Sequence, residues 1–148
     1  MITPGAAAAI GAALYGLATR ATRRLPRDMS LTSAATLATL DRTGPRRITD
    51  LAAVEGVTQP AMTALVRVME DSGLVERRGD ASDKRITLVC LTETGASYVR
   101  TRRQAGVQAF ERLIGELTGD EVEALLAALP ALDHLAELES QERERPKQ

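Results

Sequence analysis

Aromatic side chains are nearly missing from this chain: 148 residues hold no Trp, one Phe (Phe110) and two Tyr (Tyr15 and Tyr98). Ala, Leu and Val must therefore fill the core, a composition that favours closely packed helices. Cysteine occurs once, as Cys90. That excludes an intramolecular disulfide framework and any multi-cysteine zinc site, and it suits a reducing compartment. Histidine also occurs once, as His134 near Asp133 and Glu137. A lone imidazole is poor support for a metal site, so an interface role suits it better and no metal is expected. There is no Gly-rich phosphate loop and no nucleophile elbow, and His and Cys are too few for a catalytic centre. The sequence thus reads as a non-enzyme with no cofactor.

Long apolar runs and an excess of charge are lacking too. Residues 5–18 are apolar but too short to span a bilayer. No cation precedes them, and Arg20, Arg23 and Arg24 follow, the reverse of an export signal. The expectation is a cytoplasmic protein with no membrane association. The formal net charge of -1 conceals an asymmetry: residues 46–105 carry ten Lys and Arg against eight Asp and Glu, whereas residues 106–148 carry four against ten. Positive charge is concentrated in the middle of the chain, and the acidic final third would repel nucleic acid brought near it.

Hydrophobic periodicity divides the chain into one folded unit with helical extensions. A first helix is predicted over about residues 5–24, with Ile10, Leu14, Leu17, Ala21 and Leu25 on one face and Pro26 ending it. A second is capped by Thr32 or Ser33, carries Leu37 and Leu40, and stops at Gly44-Pro45. Then comes "ITDLAAVEGVTQPAMTALVRVMEDSGLVERRG". Thr49 is expected to cap a short helix with Leu51, Ala52 and Val54 inward. Gly56 permits a sharp turn, and Thr58 with Pro60 restarts the chain as a further helix. In that helix Ala61, Leu65, Val68 and Met69 are assigned to the core, Thr58, Gln59, Thr63 and Arg67 to the outside, and Gly73 to the stop.

Residues 74–78 and 86–91 read as two strands around a polar turn. "LTETG" opens a long helix carrying Val99, Arg103, Val107, Phe110, Ile114 and Leu117. A final helix starts at Thr118, bears Val122, Leu125, Leu126, Leu129, Leu132, Leu135 and Leu138, and should kink at Pro130. The polar end "ESQERERPKQ" is expected to fray.

Two helices joined by a tight turn and followed by a hairpin form a winged helix-turn-helix. A helix fits the major groove of duplex DNA, whereas the minor groove, about 6 Å wide, admits only a thin cationic probe. Lys84 and Arg85 at the turn would meet the minor groove's focused negative potential, and Arg77 and Arg78 would reach phosphates. Arg46 and Arg47 fit either a phosphate contact or a solvated loop. Arg20, Arg23 and Arg24 fit a solvated face or inter-subunit ion pairs better than DNA.

The stretch from Ile48 to Gly95 resembles the MarR family of bacterial transcription regulators, through "LVERR", the element Asp83-Lys84-Arg85, and "LTETG". Ser82 is a departure, since many members carry a further Arg there. The resemblance implies a mainly α fold with a small β-wing: a winged helix-turn-helix lobe (residues 31–95) between an N-terminal dimerisation helix (1–30) and C-terminal dimerisation helices (96–139), with a polar tail (140–148). It implies a homodimer binding a pseudo-palindromic site on double-stranded DNA, most simply as a repressor. By the same carry-over, Thr58, Gln59, Pro60, Thr63 and Arg67 lie along the recognition helix, Arg85 is the wing-tip residue, and Asp83 braces the loop. Thr58 serves equally well as a helix cap, and Gln59 can read adenine through a bidentate pair. A small aromatic or phenolic effector between the lobes is a family habit, but three aromatics in all give no pocket to assign. The Leu/Ala/Val stripes of the outer helices independently call for a second copy to cover them. The competing class is a winged-helix protein-interaction module, favoured by the near-neutral charge. Cys90, alternating on an apolar strand, reads as a buried hydrophobe before a redox switch.

Overall fold

The computed structural model describes residues 3–145. Six helices and one hairpin follow in order: α1 (Pro4–Thr22), α2 (Leu31–Thr43), α3 (Ile48–Glu55), α4 (Gln59–Asp71), β1 (Val75–Gly79), β2 (Thr87–Leu91), α5 (Glu93–Ile114) and α6 (Gly119–Glu144). The elements α2 to β2 enclose the core. Leu37 and Leu40 of α2, Leu51 and Ala52 of α3, Met62, Val66 and Met69 of α4, and Val75 and Val89 of the hairpin pack into one buried cluster.

Helix starts are set by hydroxyl caps that satisfy otherwise orphaned amides. Ser30 caps α2, accepting from the Ser33 N–H at 3.0 Å, where Thr32 or Ser33 was expected to do so. The helix begins earlier because Ser30 is the extended residue that precedes it. Thr58 caps α4, Thr92 caps α5, and Thr118 with Glu121 forms a reciprocal capping box on α6. The expected cap at Thr49 is not observed: α3 starts from Arg47 without a side-chain cap. Gly56 lies at φ +67° and Gly73 at φ +72°, the left-handed turns that separate α3 from α4 and end α4.

On α4 the sequence assignment holds at Met69, which is buried, and at Leu65, which packs against the core, but not at Ala61 and Val68. Met62, Val66 and Met69 are buried, whereas Ala61 is exposed and Val68 is 62% exposed. Both sets have helical spacing. Met62 and Val66 complete the buried face with Met69, and the face carrying Ala61 and Val68 turns outward.

The hairpin is antiparallel, with Val75 opposite Leu91 and Gly79 opposite Thr87. A further bridge was not expected: Arg46, between α2 and α3, exchanges both backbone hydrogen bonds with Val89, at 3.1 and 2.7 Å. It covers the outer edge of β2 and ties the wing to the start of α3. Gly95 is buried where α5 presses on the hairpin. A Cβ there would sit 1.9 Å from the Leu74 carbonyl oxygen. The Thr92 hydroxyl bonds to the Gly73 carbonyl at 2.6 Å in the same corner.

The outer helices differ from this lobe. None of α6 is buried, and in α5 only Gly95 is. Pro130 lies inside α6 without ending it, and the helix continues to Glu144 through the segment expected to fray. Pro146, Lys147 and Gln148 of that segment lie outside the described residues. No helix among the described residues is long and apolar enough to cross a membrane.

Candidate nucleic-acid interface

The spacing that buries Met62, Val66 and Met69 turns the opposite side of α4 to solvent. Gln59, Pro60, Thr63 and Arg67 are all exposed there, one turn apart from Gln59 to Thr63 to Arg67. Thr58, at the exposed start of the helix, uses its hydroxyl oxygen to accept from the Ala61 N–H at 3.3 Å. Thr63 donates its hydroxyl to the Gln59 carbonyl at 2.9 Å, which leaves the oxygen free to accept from outside. This strip offers hydrogen-bonding groups of modest size at the start of a helix and a cation a turn further on.

The wing tip is a loop held by its own carboxylates. Asp80 donates its N–H to the Ile86 carbonyl at 2.9 Å, and Ile86 donates back to the Asp83 carbonyl at 3.0 Å. The Asp80 carboxylate accepts from the Ser82 N–H at 2.7 Å and from its hydroxyl at 2.6 Å. Asp83 accepts from the Arg85 backbone N–H at 3.0 Å and from its guanidinium at 3.1 and 3.2 Å. These bonds hold both carboxyls below the ordinary aspartate range, Asp83 chiefly through the Arg85 guanidinium and Asp80 chiefly through Ser82. The Arg47 charge adds a smaller push in the same direction. Asp83 therefore braces the loop as expected, and the Arg85 side chain it orients is 91% exposed. Lys84 is exposed beside it.

Three nearby cations are engaged within the chain. Arg77 pairs with Glu70 of α4 at 3.3 Å, Arg78 with Glu76, and Arg46 with Glu144 of α6 at 3.0 Å. Arg47 is exposed at the start of α3. Arg20, Arg23 and Arg24 are exposed at the end of α1, away from the hairpin tip in sequence and in the elements they join. Cys90 is buried, and burial pushes its thiol above the ordinary range. His134 is exposed on α6, and no group of three or more His, Cys, Asp or Glu among the described residues is arranged to hold a metal ion.

One constellation escaped the sequence reading. Arg102 of α5, its side chain 12% exposed, donates to Asp28 at 2.9 Å, to the Pro26 carbonyl at 3.1 Å and to the Tyr98 hydroxyl at 3.1 Å. Tyr98 in turn donates to Asp28. That hydrogen bond is the chief reason the Asp28 carboxyl lies below its usual range, while burial and the same bond raise the Tyr98 phenol. The cluster fastens the α1–α2 connection to α5. The one signal for it in the sequence is Asp28 standing alone after Arg20, Arg23, Arg24 and Arg27. Beside the cluster, Leu25, Leu31, Ala35, Ala38, Val99 and Arg102 line an open cleft between α1, α2 and α5.

A helix-turn-helix completed by a hairpin and flanked by long outer helices is a winged helix-turn-helix architecture. Comparison with known proteins narrows the class. The model of the MarR family matches residues 29–87. An uncharacterized HTH-type transcriptional regulator of Mycobacterium bovis is 31% identical over 100 residues, 68% of this chain and 70% of its own length. One of Bacillus subtilis is 28% identical over 74% of this chain and 69% of its own length. Among solved structures, a transcriptional regulator of Thermotoga maritima superposes with a TM-score of 0.74 at 20% identity, covering 86% of this chain and 94% of that one. Wild-type MarR of E. coli in its apo form gives 0.67 at 26% identity, covering 89% and 98%. The chain belongs to the MarR family, whose members are transcription regulators and not enzymes.

Proposed function

We propose that two copies of this chain bind a pseudo-palindromic site on duplex DNA in the bacterial cytoplasm and repress transcription from it. Each copy sets α4 in a major groove, with Thr58, Gln59, Pro60 and Thr63 toward base edges and Arg67 toward the backbone. Arg85, with Lys84, enters the adjacent minor groove, while Arg77 and Arg78 exchange their carboxylate partners for phosphates. The observation that carries this reading is the wing tip, where an arginine 91% exposed is held out by a carboxylate that bonds its guanidinium twice. Such a brace lowers the entropy lost on fixing a long side chain in a narrow groove.

The homodimer is supported by the outer helices. Among the described residues, apart from Leu31 and Val68, the exposed large apolar side chains lie in α1, the far part of α5, α6 and the α5–α6 turn. A second copy would cover them. A small aromatic or phenolic effector in the α1–α2–α5 cleft would release the DNA by favouring a different spacing of the two lobes. The expected outcome with the right compound is a raised melting temperature together with lowered operator affinity. A panel of aromatic acids that moves neither would remove the effector from the account.

Salt dependence tests the DNA reading. Affinity should fall with a log-log slope of about -0.9 per phosphate contact, and Arg85→Ala should shrink that slope by about one contact. The second reading, a protein-interaction module, draws on the ion pairs of Arg77 with Glu70 and Arg78 with Glu76, which lessen the free positive charge. A flat salt dependence would favour it.

A further inference from the structure

The last turns of α6 are fastened to the DNA-binding lobe by two rungs. Arg42 donates to the Ser140 hydroxyl at 3.1 Å, and Arg46 pairs with Glu144 at 3.0 Å, the rungs four residues apart on both sides. Arg46 is held from other directions as well. Its Nε donates to the Thr43 hydroxyl at 3.1 Å, and its backbone is the extra bridge to Val89 of the wing. The next residue, Arg47, starts α3. The neighbouring charges are themselves engaged, Arg143 with Glu139, and Glu55 with the Thr39 hydroxyl at 2.9 Å. One residue thus joins the end of α6, the wing and the entrance of the helix-turn-helix.

An ion pair as open as this one, with 25% of the Arg46 side chain and 44% of Glu144 exposed, contributes little to stability. Its effect is on geometry. α6 is 26 residues long, roughly 39 Å, and the exposed Leu125, Leu129, Leu132 and Leu135 along it form the stripe that a second copy would cover. A two-fold regulator must hold its reading helices about 34 Å apart. Fixing both ends of α6 fixes the lobe relative to the dimer axis. Resting on the DNA-binding reading above, we infer that Arg46 and Glu144 form a strut that sets half-site spacing without touching DNA. Arg46 is then a positioning residue, and its guanidinium belongs to α6, not to a phosphate.

The test uses the full chain, the duplex selected by wild type, the same duplex with two base pairs inserted between half-sites, and a random duplex. Glu144→Gln is expected to weaken binding to the selected duplex on the order of five-fold. It should also erode discrimination against the inserted one, leaving random-duplex affinity, salt slope, dimerisation and melting temperature near wild type. Ser140→Ala should act in the same direction and less. Unchanged spacing selectivity in both variants would overturn the strut. So would tighter binding of every duplex with a steeper salt slope, the outcome expected if Glu144 only screened Arg46 from phosphate. A wild type without preference among the duplexes would overturn the DNA-binding reading and the strut with it, whereas a selective wild type matched by both variants overturns the strut alone.

Discussion

Arg85 and Cys90 sit five residues apart on one hairpin and show how environment assigns a role to a residue type. Arg85 projects into solvent from a carboxylate brace, while Cys90 lies inside at 6% exposure. Arg85→Ala should cost about ten-fold in affinity for the selected DNA, with little change in melting temperature, because nothing in the core leans on it. Asp83→Asn should cost less, since the cation stays and only its brace goes. The Asp83 carboxyl is held below its ordinary range, so the brace is complete at neutral pH and is lost only as pH falls through that lowered value. Operator affinity should accordingly show no titration from Asp83 near neutrality. For Cys90, burial raises the thiol and disfavours the thiolate. A thiol-reactive disulfide should label the folded protein slowly and the urea-unfolded protein at once. Rapid labelling of the native state would reopen a redox role.

At the scale of elements, the sequence conveys punctuation better than facing. Gly56, Thr58, Pro60 and Gly73 mark the turn and both ends of α4, and each stands where the backbone requires it. The inward face of α4 was assigned correctly at Leu65 and Met69 but not at Ala61 and Val68, because Ala61-Leu65-Val68 and Met62-Val66-Met69 share the same period, and periodicity alone cannot tell which stripe meets the lobe. The Arg46 bridge was illegible for another reason: a single residue pairing with a strand 43 positions later has no local pattern to announce it. The Asp28, Tyr98 and Arg102 cluster is likewise a product of tertiary proximity. The hairpin, by contrast, was legible from its two strands and polar turn, because turn chemistry is local, whereas the brace at Asp83 came from the resemblance to the MarR family. Gly95 in "LTETG" tests how tightly α5 abuts the hairpin. Gly95→Ala should destabilise by about 2–3 kcal/mol, read as a lower urea midpoint, since the methyl would meet a backbone carbonyl that has little freedom to withdraw.

At the scale of the whole molecule, the chain is divided between a lobe that buries its own core and helices that do not. Leu125, Leu129, Leu132 and Leu135 recur along α6 and all remain exposed. In water such a stripe requires a partner. Leu132→Arg should shift the protein to a single-copy species in sedimentation, and affinity for a two-half-site duplex should fall about a hundred-fold or more, because the second half-site is no longer bound as an intramolecular event. Wild-type melting temperature should rise with protein concentration, as it does when folding and association are linked. The sequence announced the stripes and their need of cover. It could not show that the acidic end of α6 returns to the lobe, because the partners of Ser140 and Glu144 lie 98 residues away.

The most direct test is selection of bound fragments from random duplex DNA by the purified protein. The account predicts an enriched inverted repeat whose half-site centres lie about one helical turn apart, roughly 34 Å, protected by two copies of the chain. Recovery of no common sequence, or of a lone half-site bound by a single copy, would contradict it.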